Sequence, residues 1–307
     1  MSERNYDKFR GTLTALLTPM DEHGEIDFAS LIKSVKHQLD GGARGFYVGG
    51  STGEGFLLTE EERMSVLETV AQANEGRGTI VAHIGCMGTR DSIRLARHAE
   101  SVGADAISAV VPFYYKLSMR QIQEHYEAIM AAVSTPMIIY HFPGATGVSL
   151  TLDFYTEMAR NPQCIGLKFT SLNLFELEQI RANCGSEFLL FNGHDEVYAG
   201  GALLGADGAI GSTFNLMPGL YAEMHAHARA GRWEQIRGLQ VEANVIIREL
   251  IEIDVLACEK YIMYLQGVFR TPTIRRPLKQ LSDAERERMD AFFRANPRLQ
   301  GSSYRES

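Results

Sequence analysis

The amino-acid sequence predicts an α/β fold, a (β/α)8 TIM barrel with a C-terminal helical extension. Three observations carry this. Apolar runs of strand length occur eight times in the first 213 residues, with starts roughly 20–35 residues apart, a common repeat for a βα unit. Most of the runs are continuous, as strands buried on both faces should be. After Pro218 the strand pattern stops and only helical patterns follow.

The runs come in order as Thr12–Leu17, Gly45–Gly49, Thr79–Ile84 and Ala106–Val111, then Met137–His141, Ile165–Thr170, Phe188–Phe191 and Ala209–Thr213. Amphipathic stretches separate them. Thr59 precedes Glu60, Glu61 and Glu62, a hydroxyl cap followed by acids at the positive end of a helix dipole. Thr89, Ser118 and Thr151 open three further helices. Glycine in Val102–Ala104 and Gly205–Gly208 falls where a helix should end and a strand begin. Between the last two strands, Glu196–Leu204 leaves room for a short helix only. Beyond the barrel the helices are Leu220–Ala230, Trp233–Ile253, Ala257–Gly267 and Asp283–Asn296. This places the barrel in residues 1–230 and the extension, packed on it, in 231–307, with a polar tail, Gly301–Ser307, expected to fray.

Composition narrows the function classes. The 307 residues carry a formal charge of −8, with Lys+Arg 30 against Asp+Glu 38. A nucleic-acid protein or a polybasic membrane contact calls for the opposite balance. No apolar run approaches the roughly 18–20 residues that span a bilayer, and residues 1–7 lack the basic-then-apolar pattern of a signal peptide. Cys86, Cys164, Cys184 and Cys258 are scattered, as reduced thiols are in a cytoplasmic protein.

In a barrel of this kind, reactive groups gather at the C-terminal ends of the strands. Lys168 stands inside the apolar run Cys164–Phe169. A buried ammonium is costly, and a lysine driven toward neutrality becomes an amine nucleophile able to form a Schiff base with a carbonyl. The alternative is a structural lysine paired with a carboxylate. Tyr140 ends the neighbouring strand, so its phenol can exchange protons with the amine's adduct; alone, it reads more readily as a ring that packs and bonds one carbonyl, and the place beside Lys168 reverses that preference. Gly49–Gly55 contains Ser51 and Thr52 ahead of a helix. That loop suits a carboxylate better than a nucleotide, because neither the P-loop nor the dinucleotide pattern is present; it reads equally as a tight turn that uses glycine for positive φ. Asp195 and Glu196 are placed either to accept from substrate hydroxyls or to complement a helix dipole. Gly211 and Ser212 offer a carbonyl and a hydroxyl to the same polyol. The histidines form no ligand-like spacing, and His141, adjacent to Tyr140 on a strand, should point away from the barrel interior.

With these residues in place, the chain resembles the N-acetylneuraminate lyase / dihydrodipicolinate synthase superfamily of class I, pyruvate-dependent aldolases. The resemblance covers about residues 9 to 297 and rests on five motifs. They are Gly-Gly-Ser-Thr-Gly-Glu at 49–54, Pro-Phe-Tyr-Tyr at 112–115, Tyr140 with Pro-Gly-Ala-Thr-Gly at 143–147, Gly-Leu-Lys at 166–168 and Gly-Ala-Asp-Gly-Ala-Ile-Gly-Ser at 205–212. The wording leans to the lyase branch, since Ala145 stands where the synthases carry an arginine. His141-Phe142-Pro143-Gly144 departs from the commonest lyase wording. The resemblance implies a Schiff-base lysine at Lys168, a proton relay at Tyr140 and carboxylate binding by Ser51 and Thr52. It implies contacts to the sugar chain from Thr170, Gly193, Asp195, Glu196 and Ser212, and a Tyr114 that reaches toward a neighbouring subunit's site. The implied reaction is aldol cleavage of N-acetylneuraminate to N-acetylmannosamine and pyruvate in a homotetramer, with no metal or organic cofactor. The alternatives are another pyruvate aldolase or dehydratase acting on 2-keto-3-deoxy sugar acids, and a sialic-acid or keto-acid binding barrel without turnover.

Overall fold

The computed structural model describes residues 6 to 300, so the expected fraying of Gly301–Ser307 lies outside the described residues. Eight parallel strands close into a barrel in sequence order. They are β1 (Gly11–Ala15), β2 (Gly45–Val48), β3 (Thr79–His83), β4 (Ala106–Val110), β5 (Met137–His141), β6 (Cys164–Phe169), β7 (Leu189–Asn192) and β8 (Gly208–Gly211). The connecting helices are α1 (Phe28–Asp40), α2 (Glu60–Asn74), α3 (Thr89–Val102), α4 (Met119–Met130), α5 (Pro143–Thr146), α6 (Leu152–Arg160), α7 (Leu174–Cys184) and α8 (Tyr198–Leu203). After β8 come α9 (Pro218–Arg229), α10 (Trp233–Ile253), α11 (Val255–Leu265), α12 (Asp283–Ala295) and α13 (Pro297–Gln300).

Every strand residue is buried, which explains the continuous apolar runs. Side chains still alternate between two environments. Leu13, Tyr47, Ile138, Tyr140, Phe191 and Ile210 cluster in the lumen, whereas Phe46, Val48, Ile139, Leu167 and Phe169 pack against the helices. Three of the four expected helix starts carry side-chain caps; at the fourth, α3 begins on Thr89 itself, behind Gly88 and without a side-chain cap. Thr59 and Ser118 form full capping boxes with Glu62 and Gln121, and the Thr151 hydroxyl accepts from Phe154 N–H.

Of the helices longer than one turn, two carry no mark in the sequence. α1 turns Ser30, Ser34 and Gln38 inward beside Leu31 and Val35, so polar residues interrupt its apolar stripe. α7 buries only Leu177 and Ile180 and leaves Leu172 and Phe175 in solvent around its start. The helix α11 begins two residues earlier than its apolar run, because Asp254 caps it by accepting from Ala257 N–H at 2.9 Å. The extension shares one apolar core with the barrel: Leu17 and Ala209 join Ile246, Leu250, Ile262 and Phe293 in it.

Candidate active site

A cavity of about 230 Å³ opens at the C-terminal mouth of the barrel. Ser51 and Thr52 reach it from the turn after β2, Tyr140 from β5, and Lys168 and Thr170 from the end of β6. Gly193, Asp195 and Glu196 come from the segment after β7, and Ser212 from the end of β8. Two expected residues do not line it. Tyr114, on the loop after β4, is 77% exposed and packs edge-on against Tyr115. Gly211 lies behind Asp195: a Cβ there would stand 1.9 Å from Asp195 Oδ1, so glycine is what lets that carboxylate seat. Gly193 has the same kind of reason, since its Cβ would stand 2.0 Å from Thr170 Oγ1.

Strand alternation aims Lys168 inward, between Leu167 and Phe169, which face the helices. In register, Tyr140 is its direct neighbour across the β5–β6 pair. Lys168 Nζ lies 4.2 Å from the centroid of the Tyr140 ring and 4.4 Å from that of Tyr47. Ring faces attract a cation but replace little of its water. Burial therefore pulls the Lys168 pKa down to about 7, against the opposing charge of Asp195. Roughly half the amines are then neutral at pH 7, against about one in 10³ for an ordinary lysine. No carboxylate forms an ion pair with Lys168 among the described residues, so the alternative of a paired structural lysine finds no partner.

The phenol is tuned in the opposite direction. Burial raises Tyr140 to about 12, while the Ser51 and Thr170 hydroxyls beside it work to lower it. A phenol that stays protonated can donate and then take back a proton. Phe142 stacks on the Tyr140 ring at 5.9 Å and Tyr47 meets it edge-on at 5.7 Å, which fixes its plane. Tyr47 is itself held by a hydrogen bond from its hydroxyl to Ser108 Oγ, 2.9 Å.

The far wall is acidic. Burial raises the Asp195 pKa to about 6, although Oδ2 accepts from Thr213 N–H at 2.9 Å and from Thr213 Oγ1 at 2.7 Å. Burial also opposes ionisation of Glu196, but His194, 3.3 Å away, and a backbone N–H hold it below the usual carboxylate range. His141 faces outward, as the alternation requires. It stacks on Phe169 at 5.5 Å, and burial lowers its pKa to about 4. Among the described residues no group of three or more His, Cys, Asp or Glu side chains is placed to hold a metal ion.

Sequence reasoning missed several supporting groups. Tyr47 is legible only through the alternation of β2. Glu54, in the left-handed region at φ 58°, forms a fully buried ion pair with Lys260 of α11 and accepts from Arg275 N–H at 2.7 Å. Lys260 in turn donates to Thr273 O at 3.0 Å. The extension thus grips the loop that carries Ser51 and Thr52. The adjacent Glu259 and Lys260, both fully buried within the otherwise apolar α11, were the available signal.

The comparisons with known proteins agree with the fold. The model of the dihydrodipicolinate synthetase family matches residues 8–296. N-acetylneuraminate lyase 2 of Escherichia coli O6:H1 (strain CFT073) is 40% identical over 293 residues, 95% of each chain. A Clostridium difficile protein, CdNal, solved in complex with mannosamine, superposes with a TM-score of 0.91 at 32% identity, covering 94% of this chain and 99% of that one. A catalytic lysine mutant of Ruminococcus gnavus sialic acid aldolase gives 0.90 at 35%, covering 94% and 95%. With nearly its whole length matched, the chain belongs to the dihydrodipicolinate synthetase family.

Proposed function

We propose that this protein is an N-acetylneuraminate lyase, a class I aldolase that splits N-acetylneuraminate into N-acetylmannosamine and pyruvate. The observation that carries the reading is Lys168, buried, without a carboxylate partner and close to neutrality in a cavity that hydroxyl and carboxyl side chains also line. The names of the relatives, N-acetylneuraminate lyase and sialic acid aldolase, support the choice of substrate. The mention of a catalytic lysine in the Ruminococcus gnavus protein supports the chemistry.

The neutral Lys168 amine adds to the C2 ketone of the open-chain sugar acid, and loss of water leaves a protonated imine. Ser51 and Thr52 hold the neighbouring carboxylate. Tyr140 gives its phenol proton to the carbinolamine hydroxyl that leaves as water, and the phenolate so formed takes the C4 hydroxyl proton as the C3–C4 electron pair moves into the imine and the aldehyde of N-acetylmannosamine departs. The resulting enamine takes a proton at C3, and water releases pyruvate and the amine. Thr170, Gly193, Asp195, Glu196 and Ser212 bind the hydroxylated chain. No metal or organic cofactor enters, because the imine is the electron sink. Tyr114 completes a neighbouring subunit's site in a cytoplasmic homotetramer; its 77% exposure in a single chain fits that role.

A panel of 2-keto-3-deoxy sugar acids scored by pyruvate release tests the substrate. N-acetylneuraminate should be cleaved with the highest kcat/KM. Preference for 2-keto-3-deoxygluconate would reassign the enzyme, and binding of N-acetylneuraminate with no pyruvate released from any member would reduce it to a binding barrel.

A further inference from the structure

One buried group stands behind the cavity lining with no place in the mechanism above. Glu259, on α11, is fully buried, and neither of its carboxyl oxygens has a hydrogen-bond partner. An unpartnered buried carboxyl is expensive and needs a reason. Glu259 lies one helical turn from Val255, which lines the cavity, and so shares its face of α11. Ser212, also a cavity residue, lies close enough to act on the Glu259 carboxyl without a formed hydrogen bond to it. Its neighbour Lys260 is committed elsewhere, to Glu54 and Thr273 O.

We propose that Glu259 is a positioning residue for recognition of the sugar chain: as a neutral acid it donates to Ser212 Oγ and so commits the Ser212 hydroxyl hydrogen to the substrate. A serine hydroxyl has one hydrogen. With its oxygen accepting from Glu259, that hydrogen points into the cavity. An ionised Glu259 would take it, leaving only lone pairs facing the ligand. Beside Ser212 stands Asp195, whose Oδ2 is occupied by Thr213. A donor and an acceptor side by side match a substrate hydroxyl, which accepts from one and donates to the other.

The charges around Glu259 favour the neutral form. Burial raises its pKa to about 8, the Ser212 contact lowers it, and Asp195, Asp254 and Glu196 raise it further. The buried phenol of Tyr221, on α9, also feels its charge. When two carboxyls share a desolvated region, the second resists ionisation. Asp195, bonded by Thr213, takes the charge, and Glu259 keeps the proton.

The inference rests on the lyase reading only for the identity of the polyol. Its test combines kinetics on Glu259→Leu, Glu259→Gln, Ser212→Ala and the Leu/Ala double variant with infrared difference spectra. Glu259→Leu should raise KM roughly five- to tenfold, the size of one hydrogen bond, with kcat little changed. Glu259→Gln, which keeps an N–H donor, should restore KM, and the double variant should be no worse than Ser212→Ala alone. Independent, additive effects of the two sites, or an unchanged KM in Glu259→Leu, would overturn the proposal. If Leu prevents folding, Glu259→Met is read in the same way. The infrared band of a neutral carboxylic acid should be present near neutral pH and missing in Glu259→Gln; identical spectra would also overturn it. Should the parent protein cleave a different 2-keto-3-deoxy acid, the substrate reading fails and the same cycle is measured on that acid. Should it cleave none, the spectra alone decide on Glu259.

Discussion

An amine attacks a ketone only through its lone pair, so the decisive quantity at Lys168 is the fraction without a proton. The lysine gets there by desolvation against two ring faces, and Asp195 keeps it from going further. Because its pKa is lowered to about 7, the neutral fraction climbs as pH rises through that value and saturates above it. The rate of imine formation with pyruvate should therefore rise about tenfold per pH unit below about pH 6 and level off above about pH 8. Borohydride-quenched time courses across that range measure it. A profile that keeps rising toward the ordinary lysine value would mean that the site does not neutralise its nucleophile. Lys168 and Tyr140 were legible in the sequence because each interrupts or ends an apolar strand. Tyr47 was not, since a tyrosine inside an apolar run looks like core until the alternation of β2 is fixed.

Among the elements, α11 connects the extension to chemistry. Lys260 pairs with Glu54 inside the protein, and Arg275 N–H takes the other carboxyl oxygen. Removing one partner of such a pair leaves an uncompensated buried charge. Lys260→Met should destabilise the chain by about 3–5 kcal/mol and raise KM for pyruvate, because the Ser51–Thr52 loop loses its anchor. Urea unfolding together with pyruvate saturation kinetics checks both; stability within 1 kcal/mol of the parent, on the order of an exposed pair, would show the anchor is idle. The sequence displayed strands and capped helices because these signals are local, a hydroxyl before acids or a run of β-branched residues. It hid α1, whose buried face carries Ser30, Ser34 and Gln38, and α7, whose apolar face is thin. It also hid the Glu54–Lys260 pair, which only the closed fold brings together.

For the whole molecule, the barrel confines chemistry to one rim, and the cavity gathers nine of the eleven residues singled out from the sequence. Gly211 sits just behind that wall. Tyr114 is the outlier, and it stands with Tyr115, Leu172 and Phe175 among the large apolar side chains left more than 60% exposed. Burying such side chains between subunits is favourable. Sedimentation equilibrium should give four times the 34.1 kDa chain mass. Tyr114→Ser should lower kcat without altering the imine at Lys168, whereas full activity in a monomer would remove Tyr114 from the account. The most direct measurement of the central claim is covalent. Incubate the protein with pyruvate, reduce with borohydride, digest and weigh the peptides. A stable three-carbon adduct is expected on the Lys168 peptide, absent in Lys168→Ala. An adduct on a different lysine, or none at all under conditions that support cleavage, would contradict it.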